Sequence, residues 1–273
     1  MTDNEVATAA PAAPAPLVHA DFVDGVGTIV LDNAAKRNAL SAALLDEVIA
    51  ALKDFEARSA RVVVLRAAPG LHVWSAGHDI KELARGHADP LGYADPLERA
   101  LRALRELPAP VIAMVQGSVW GGAFDLVLSC DMIVADETAT FAITPANLGL
   151  PYNTTGLLHF VGRLPVNLIK EMFFTAAPLA AEEAHRWGII NHLVPSAEIE
   201  DHTRALAALI ACKAPLAIGV VKEQLRVFAD LQPIAAQVFE RIQEMRRRVY
   251  DSADYKEGID AFLEKRKPVF QGR

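Results

Sequence analysis

Cysteine is nearly absent: Cys130 and Cys212 are the two in 273 residues. They share no paired spacing, which argues against a disulfide framework and a cysteine-built zinc site. Histidine offers no ligand spacing either. His72, His87, His159, His185, His192 and His202 are scattered along the chain, so no metal is expected. Positive charge is in deficit, with 27 Lys and Arg against 34 Asp and Glu and a net charge of −7. Nothing therefore favours nucleic acid or an anionic membrane, and a polyanionic ligand would need a local basic patch. No apolar run reaches the roughly 20 residues of a membrane-spanning helix. Residues 1–16, MTDNEVATAAPAAPAP, hold Asp3 and Glu5 but no Lys or Arg. That composition argues against a signal or transit peptide and predicts a disordered Ala/Pro tail. These absences together predict a soluble, cytoplasmic α/β protein.

What is present is enough apolar material for a substantial core: 52% of the residues are hydrophobic, among them three Trp. The length allows one large domain or two small ones. The stretch from Pro110 to Asp131, PVIAMVQGSVWGGAFDLVLSCD, organises the rest. Val111–Val115 is a short apolar run bounded by Pro110 and Gly117, which predicts a buried strand. A turn on Gly117, Gly121 and Gly122 leads into an apolar helix through Phe124, Leu126, Val127 and Leu128. A strand feeding a glycine turn that opens a helix leaves unpaired backbone N–H groups. Two readings stand side by side here: an oxyanion hole or anion cradle, and tight strand–helix packing.

The preceding chain has the same grammar. Val18–Val23 and Gly27–Leu31 read as strands around an Asp24–Gly25 turn, Ser41 as the N-cap of a helix, and Arg61–Ala67 as a buried strand. Trp74 to Leu83, WSAGHDIKEL, repeats the pattern of small residues, a glycine and a helix start. Two such starts can supply the two N–H donors that an oxyanion hole requires. A helix over Pro96–Leu107 and a strand over Met132–Ala135 continue the rhythm. From Ser196 strand patterns stop and four helices are predicted, near 197–213, 215–229, 234–249 and 253–267. They could cover their own domain or pack on a neighbouring subunit.

Several segments, in this order and spacing, resemble the crotonase (enoyl-CoA hydratase/isomerase) superfamily. They are Lys36 to Leu40 (KRNAL), Ser75 to Ile80 (SAGHDI), Gly117 to Asp131, Phe141 to Gly149, and Ala261 to Pro268 (AFLEKRKP). The segments SAGHDI, QGSVWGGAF, TPANLGLPYN and FERIQEMRRRVYDS are most similar to family members that decarboxylate methylmalonyl-CoA. The resemblance implies a spiral core of repeated ββα units over residues 17–195. It also implies a helical region over 196–273 for CoA closure and oligomerisation, and a homotrimer or homohexamer. It assigns the His78 and Gly122 N–H groups to the thioester oxygen of an acyl-CoA. Ala76, Gly77, His78, Asp79 and Ile80 would line the adenine and pantetheine path, and Lys265 would approach the CoA phosphates, in its own or a neighbouring subunit. No cofactor is implied, because coenzyme A is part of the substrate.

Reactions of this superfamily pass through a thioester enolate or a similar anion. Its hydratases use two glutamates. Here the first of those positions is Asp125 and the second is Pro145, which cannot titrate, so hydration by two carboxylates is not expected. Decarboxylation needs no base to begin, and a second ionised carboxylate would repel a malonyl carboxylate. It does need a group that holds the leaving carboxylate perpendicular to the thioester plane. The resemblance points to Tyr152, given the larger role, and to Thr144. The reaction expected is decarboxylation of methylmalonyl-CoA or malonyl-CoA to propionyl-CoA or acetyl-CoA. The alternatives are an enoyl-CoA hydratase or isomerase using Asp125, and a non-catalytic acyl-CoA-binding protein. The side chain of His78 is a lesser candidate acid or base. Asp125 reads as a proton donor, a water anchor or a structural residue.

Overall fold

The computed structural model describes residues 15–83, 92–231 and 234–272. Residues 1–14 of the predicted tail lie outside this set. Ten strands among the described residues form two sheets. The six-stranded sheet contains β1 (Val18–Val23), β2 (Val26–Leu31), β3 (Val62–Ala67), β5 (Val111–Val115), β7 (Met132–Asp136) and β10 (His192–Val194), in that order. Its β1–β2 pair is antiparallel and the remaining pairs are parallel. The smaller sheet contains β4 (Val73–Ser75), β6 (Ser118–Trp120), β8 (Thr140–Ala142) and β9 (Leu179–Ala180).

The helices are α1 (Ala42–Ala57), α2 (Pro96–Glu106), α3 (Gly122–Leu128), α4 (Thr154–Val161), α5 (Val166–Thr175) and α6 (Ala181–Arg186), followed by α7 (Ile199–Ala211), α8 (Pro215–Asp230), α9 (Ala236–Tyr250) and α10 (Ala253–Leu263). The pairs β3/β4, β5/β6 and β7/β8 each give one strand to each sheet. This is the spiral of ββα turns that the resemblance implied.

The sequence patterns fix these elements locally. Every residue of β5 is buried, as its unbroken apolar run requires. Ser41 caps α1, and Leu44, Leu45, Val48, Ile49, Leu52 and Phe55 form its buried face. Trp74 is fully buried and its indole N–H donates to the Met114 carbonyl at 2.8 Å, tying the two sheets together.

Two expectations are corrected. The turn after β5 is interrupted by β6, so Gly117 and the Gly121–Gly122 pair serve different bends. The stretch after His78 begins no α-helix among the described residues. Asp79 caps a single 3-10 turn over Ile80–Glu82, and the chain beyond Leu83 is next described at Gly92.

Candidate active site

The short sheet brings three chain segments to one edge. β4, β6 and β8 run parallel, with Ser75 beside Val119 and Trp120 beside Ala142. The residues following each strand therefore emerge together: Ala76–His78, Gly121–Gly122 and Thr144–Pro145. They line one cleft, shared with Ile80, Leu97, Glu98, Asp125, Leu148, Leu150, Tyr152 and Asn153.

The KRNAL segment shapes the first of these edges. The Asn38 side chain is fully buried and donates to the Trp74 carbonyl at 2.9 Å, while the Ser75 hydroxyl donates to the Asn38 carbonyl at 2.6 Å. Leu40 N–H donates to the Gly77 carbonyl at 2.8 Å, forming a parallel bridge between Leu40 and His78. In a parallel bridge the pairing groups are the Gly77 carbonyl and the Asp79 N–H, so the His78 N–H faces the other way. It finds no hydrogen-bond acceptor among the described residues. Gly122 opens α3, where the first N–H groups have no intrahelical partner. Its own N–H likewise has no acceptor among the described residues.

Close approach of the two edges depends on glycine. Gly77 has φ +82°, and a β-carbon there would collide with the Trp120 carbonyl while lying 3.3 Å from the Gly122 nitrogen. The side chain of Trp120 is not part of the cleft wall; its carbonyl packs the turn.

The titratable groups around these donors come from α2, α3 and the start of α4. Asp95 caps α2 through Leu97 N–H, and its other oxygen lies 3.6 Å from His78 Nε2. Burial works against a charged His78 ring, but the hydrogen bond and charge of Asp95 outweigh it, and the pKa is raised above 6.5. Tyr152 donates its hydroxyl proton to Asp125 Oδ2 at 3.1 Å. Its ring packs edge-on against Phe160 and Phe173, at 5.8 and 5.1 Å between centroids. Burial, followed by the charge and hydrogen bond of Asp125, pushes the phenol pKa well above 10, so Tyr152 keeps its proton. Glu98 accepts from the Asn153 side-chain amide, and burial pushes its pKa up toward the neutral form. The Thr144 hydroxyl has no hydrogen-bond partner among the described residues.

Of the residues singled out in the sequence, Ala76, Gly77, His78, Ile80, Gly122, Thr144 and Tyr152 line this one cleft, as do Asp125 and Pro145. Asp79 and Lys265 do not. The Asp79 side chain caps Lys81 N–H at 3.1 Å, and Lys265 is exposed beyond the end of α10. Glu98, Asn153 and Asp95 were missed. The Asp95-Pro96-Leu97-Glu98 run carries a helix-start signature, but nothing in it says that the helix faces a cleft.

Residues 21–273 match the family described as enoyl-CoA hydratase/isomerase. The chain is 48% identical over 250 residues to methylmalonyl-CoA decarboxylase of Escherichia coli (strain K12), covering 92% of this chain and 96% of that one. It is 36% identical over 248 residues to carnitinyl-CoA dehydratase of Proteus mirabilis (strain HI4320), covering 90% and 94%. Among solved structures, methylmalonyl-CoA decarboxylase in complex with 2-nitronate-propionyl-CoA superposes with a TM-score of 0.93 at 47% identity, covering 94% of this chain and 99% of that one. The chain belongs to the enoyl-CoA hydratase/isomerase family.

Proposed function

We propose that this protein is a carbon–carbon lyase that decarboxylates methylmalonyl-CoA to propionyl-CoA, with malonyl-CoA to acetyl-CoA as the smaller alternative. One observation carries the reading. The His78 and Gly122 N–H groups, which have no acceptor among the described residues, face a cleft lined by Pro145 at the position where the resemblance places a hydratase's second glutamate. The two donors bind the thioester oxygen and stabilise the negative charge that develops there as CO2 leaves. Preorganised donors of this kind act without reorganising during the reaction.

The leaving carboxylate lies against Leu97, Pro145, Leu148 and Leu150, a wall that solvates an anion poorly and CO2 well. The free Thr144 hydroxyl gives it one hydrogen bond. The Tyr152 ring, fixed by Phe160 and Phe173, bounds the other side, so the breaking bond stays perpendicular to the thioester plane. Loss of CO2 leaves an enolate, and one proton is then taken up at the α-carbon. The His78 ring lines the cleft and is held by Asp95; we assign it as the acid, reloaded from solvent.

A second reading has one observation in its favour. Glu98 and Asp125 place two carboxyl groups in the same cleft, which a hydratase could use on an enoyl-CoA. Incubation with methylmalonyl-CoA and with crotonyl-CoA separates the two. Release of CO2 from the first is expected, whereas hydration of the second without CO2 release from the first would establish the alternative.

Assembly belongs to the same proposal. α8 exposes Leu216, Val220, Leu225 and Phe228, an apolar face suited to burial between subunits of a trimer or a dimer of trimers. The C-terminal helices would then close the CoA path, with Lys265 near the CoA phosphates. Light scattering should give three or six times the chain mass. A cytoplasmic location fits the two free thiols, Cys130 and Cys212.

A further inference from the structure

Leu148 and Leu150 line the cleft, and both also belong to an apolar cluster with Tyr250, Tyr255 and Ile259 of the C-terminal helices. The contact beneath this cluster is backbone on backbone. Gly258 is buried in the middle of α10, where glycine is among the poorest helix formers. A β-carbon there would collide with the Leu148 carbonyl and come within 2.8 Å of the Leu148 α-carbon. One turn earlier in α10 the relation is reversed. Gly149, at φ +61°, would place a β-carbon 2.7 Å from the Asp254 carbonyl oxygen. Two glycines, one on each partner, thus seat the Pro145–Leu148 turn directly on α10.

Of the two partners, α10 is the firmer. Ser252 caps it by accepting from Tyr255 N–H at 3.1 Å, and Tyr255, Ile259 and Ala261 are buried along it. The chain end returns along the same helix. Val269 N–H donates to Glu257, and the Gln271 and Gly272 N–H groups donate to the Asp254 carboxylate at 2.7 Å. The turn has this helix on one side and the open cleft on the other. Bulk added between them therefore moves the turn into the cleft, and Pro145 and Leu148 move with it.

We propose that Gly258 is a positioning residue which, through the Leu148 backbone, sets how much bulk the cleft accepts at the α-carbon of the substrate. The inference deepens the decarboxylase reading and rests on it. Malonyl-CoA carries one substituent at that carbon, its carboxylate; methylmalonyl-CoA carries two. A turn displaced inward leaves room for one substituent and crowds the second.

The test compares the two thioesters in Gly258→Ala. Alanine improves helix propensity, so a loss comes from the contact and not from the helix. The kcat/KM for methylmalonyl-CoA should fall by about 10-fold or more, and that for malonyl-CoA by less than about 3-fold. Ile259→Ala makes the opposite change, because removing buried volume from the cluster behind Leu148 and Leu150 lets the wall recede. There the ratio of methylmalonyl-CoA to malonyl-CoA kcat/KM should rise by about 2-fold or more. This second variant decides the question if Gly258→Ala does not fold. A merely structural role would lower both activities together. An unchanged ratio in either folded variant would overturn the proposal.

Isobutyryl-CoA and propionyl-CoA have the same two shapes, with methyl in place of carboxylate, and cannot lose CO2. Their affinities, measured by calorimetric titration, should shift in the same directions in the two variants. If the unsubstituted protein released no CO2 from either malonyl thioester, the decarboxylase reading would fail. The two affinities would still decide the role of Gly258, and an unchanged ratio between them would overturn it.

Discussion

A β-carbon placed on Gly122 would lie 3.7 Å from the backbone nitrogen of His78. Two chain segments more than forty positions apart thus put their free N–H groups around one small space. The same β-carbon would come within 2.7 Å of Leu97 Cδ2, the movable end of a side chain. Gly122→Ala should therefore fold with a loss of only about 1 kcal/mol. The methyl crowds the approach to the His78 N–H, and kcat should fall by roughly 100-fold, the order of losing one oxyanion donor. Thermal unfolding and steady-state kinetics on the same sample separate the two effects.

Tyr152→Phe leaves Asp125 Oδ2 without its donor, and the unpaired oxygen then faces the substrate carboxylate. Decarboxylation should slow by about 10-fold or more, while the affinity for propionyl-CoA, which has no carboxylate, changes by less than about 3-fold. Calorimetric titration beside the kinetics decides it. Unchanged kcat would remove Tyr152 from the mechanism.

Thr144→Val keeps the shape of the side chain and deletes the free hydroxyl. If that hydroxyl orients the leaving carboxylate, kcat on methylmalonyl-CoA should drop by about 10- to 100-fold with little change in stability. A comparable loss of propionyl-CoA affinity would instead assign Thr144 to general thioester binding.

Asp95→Asn keeps the N-cap acceptor for Leu97 and removes the charge beside His78. In the folded protein burial opposes the charged ring, but Asp95 more than offsets this and the pKa is raised. A raised folded value contributes stability that is fully present below the unfolded value and is lost as pH rises through the folded one. Asp95→Asn should therefore lower Tm at about pH 5.5 and leave it unchanged at about pH 9. If His78 is the acid, the alkaline limb of the kcat profile should also move to lower pH.

Much of the scaffold was legible because its signals are local. Val111–Val115 is an apolar run between proline and glycine, Ser41 begins a long amphipathic helix, and both appear where the pattern puts them. The strands β4, β6, β8 and β9 are two or three residues long, too short to show a period of two. They are defined by pairing with distant partners, and so is the cleft edge they build. Gly122 and His78 were legible as a pair through their repeated glycine turns. The free His78 N–H, however, comes from a bridge to Leu40 rather than from a helix start. His159 reads as an isolated histidine in sequence, yet it lies against Asp125, 34 positions away. Glu98 carries a helix-start signal and no sign of the cleft. Its raised pKa arises from burial that only the assembled fold produces.

In the proposed reaction the anion held by His78 and Gly122 is made by losing CO2. Following methylmalonyl-CoA by NMR in 2H2O decides this, because substrate loss, CO2 and the label at the α-carbon are read together. Decarboxylation should give one CO2 per thioester consumed and propionyl-CoA with one newly acquired deuterium at the α-carbon. Loss of the thioester without CO2, or α-deuterated substrate that keeps its carboxylate, would contradict it.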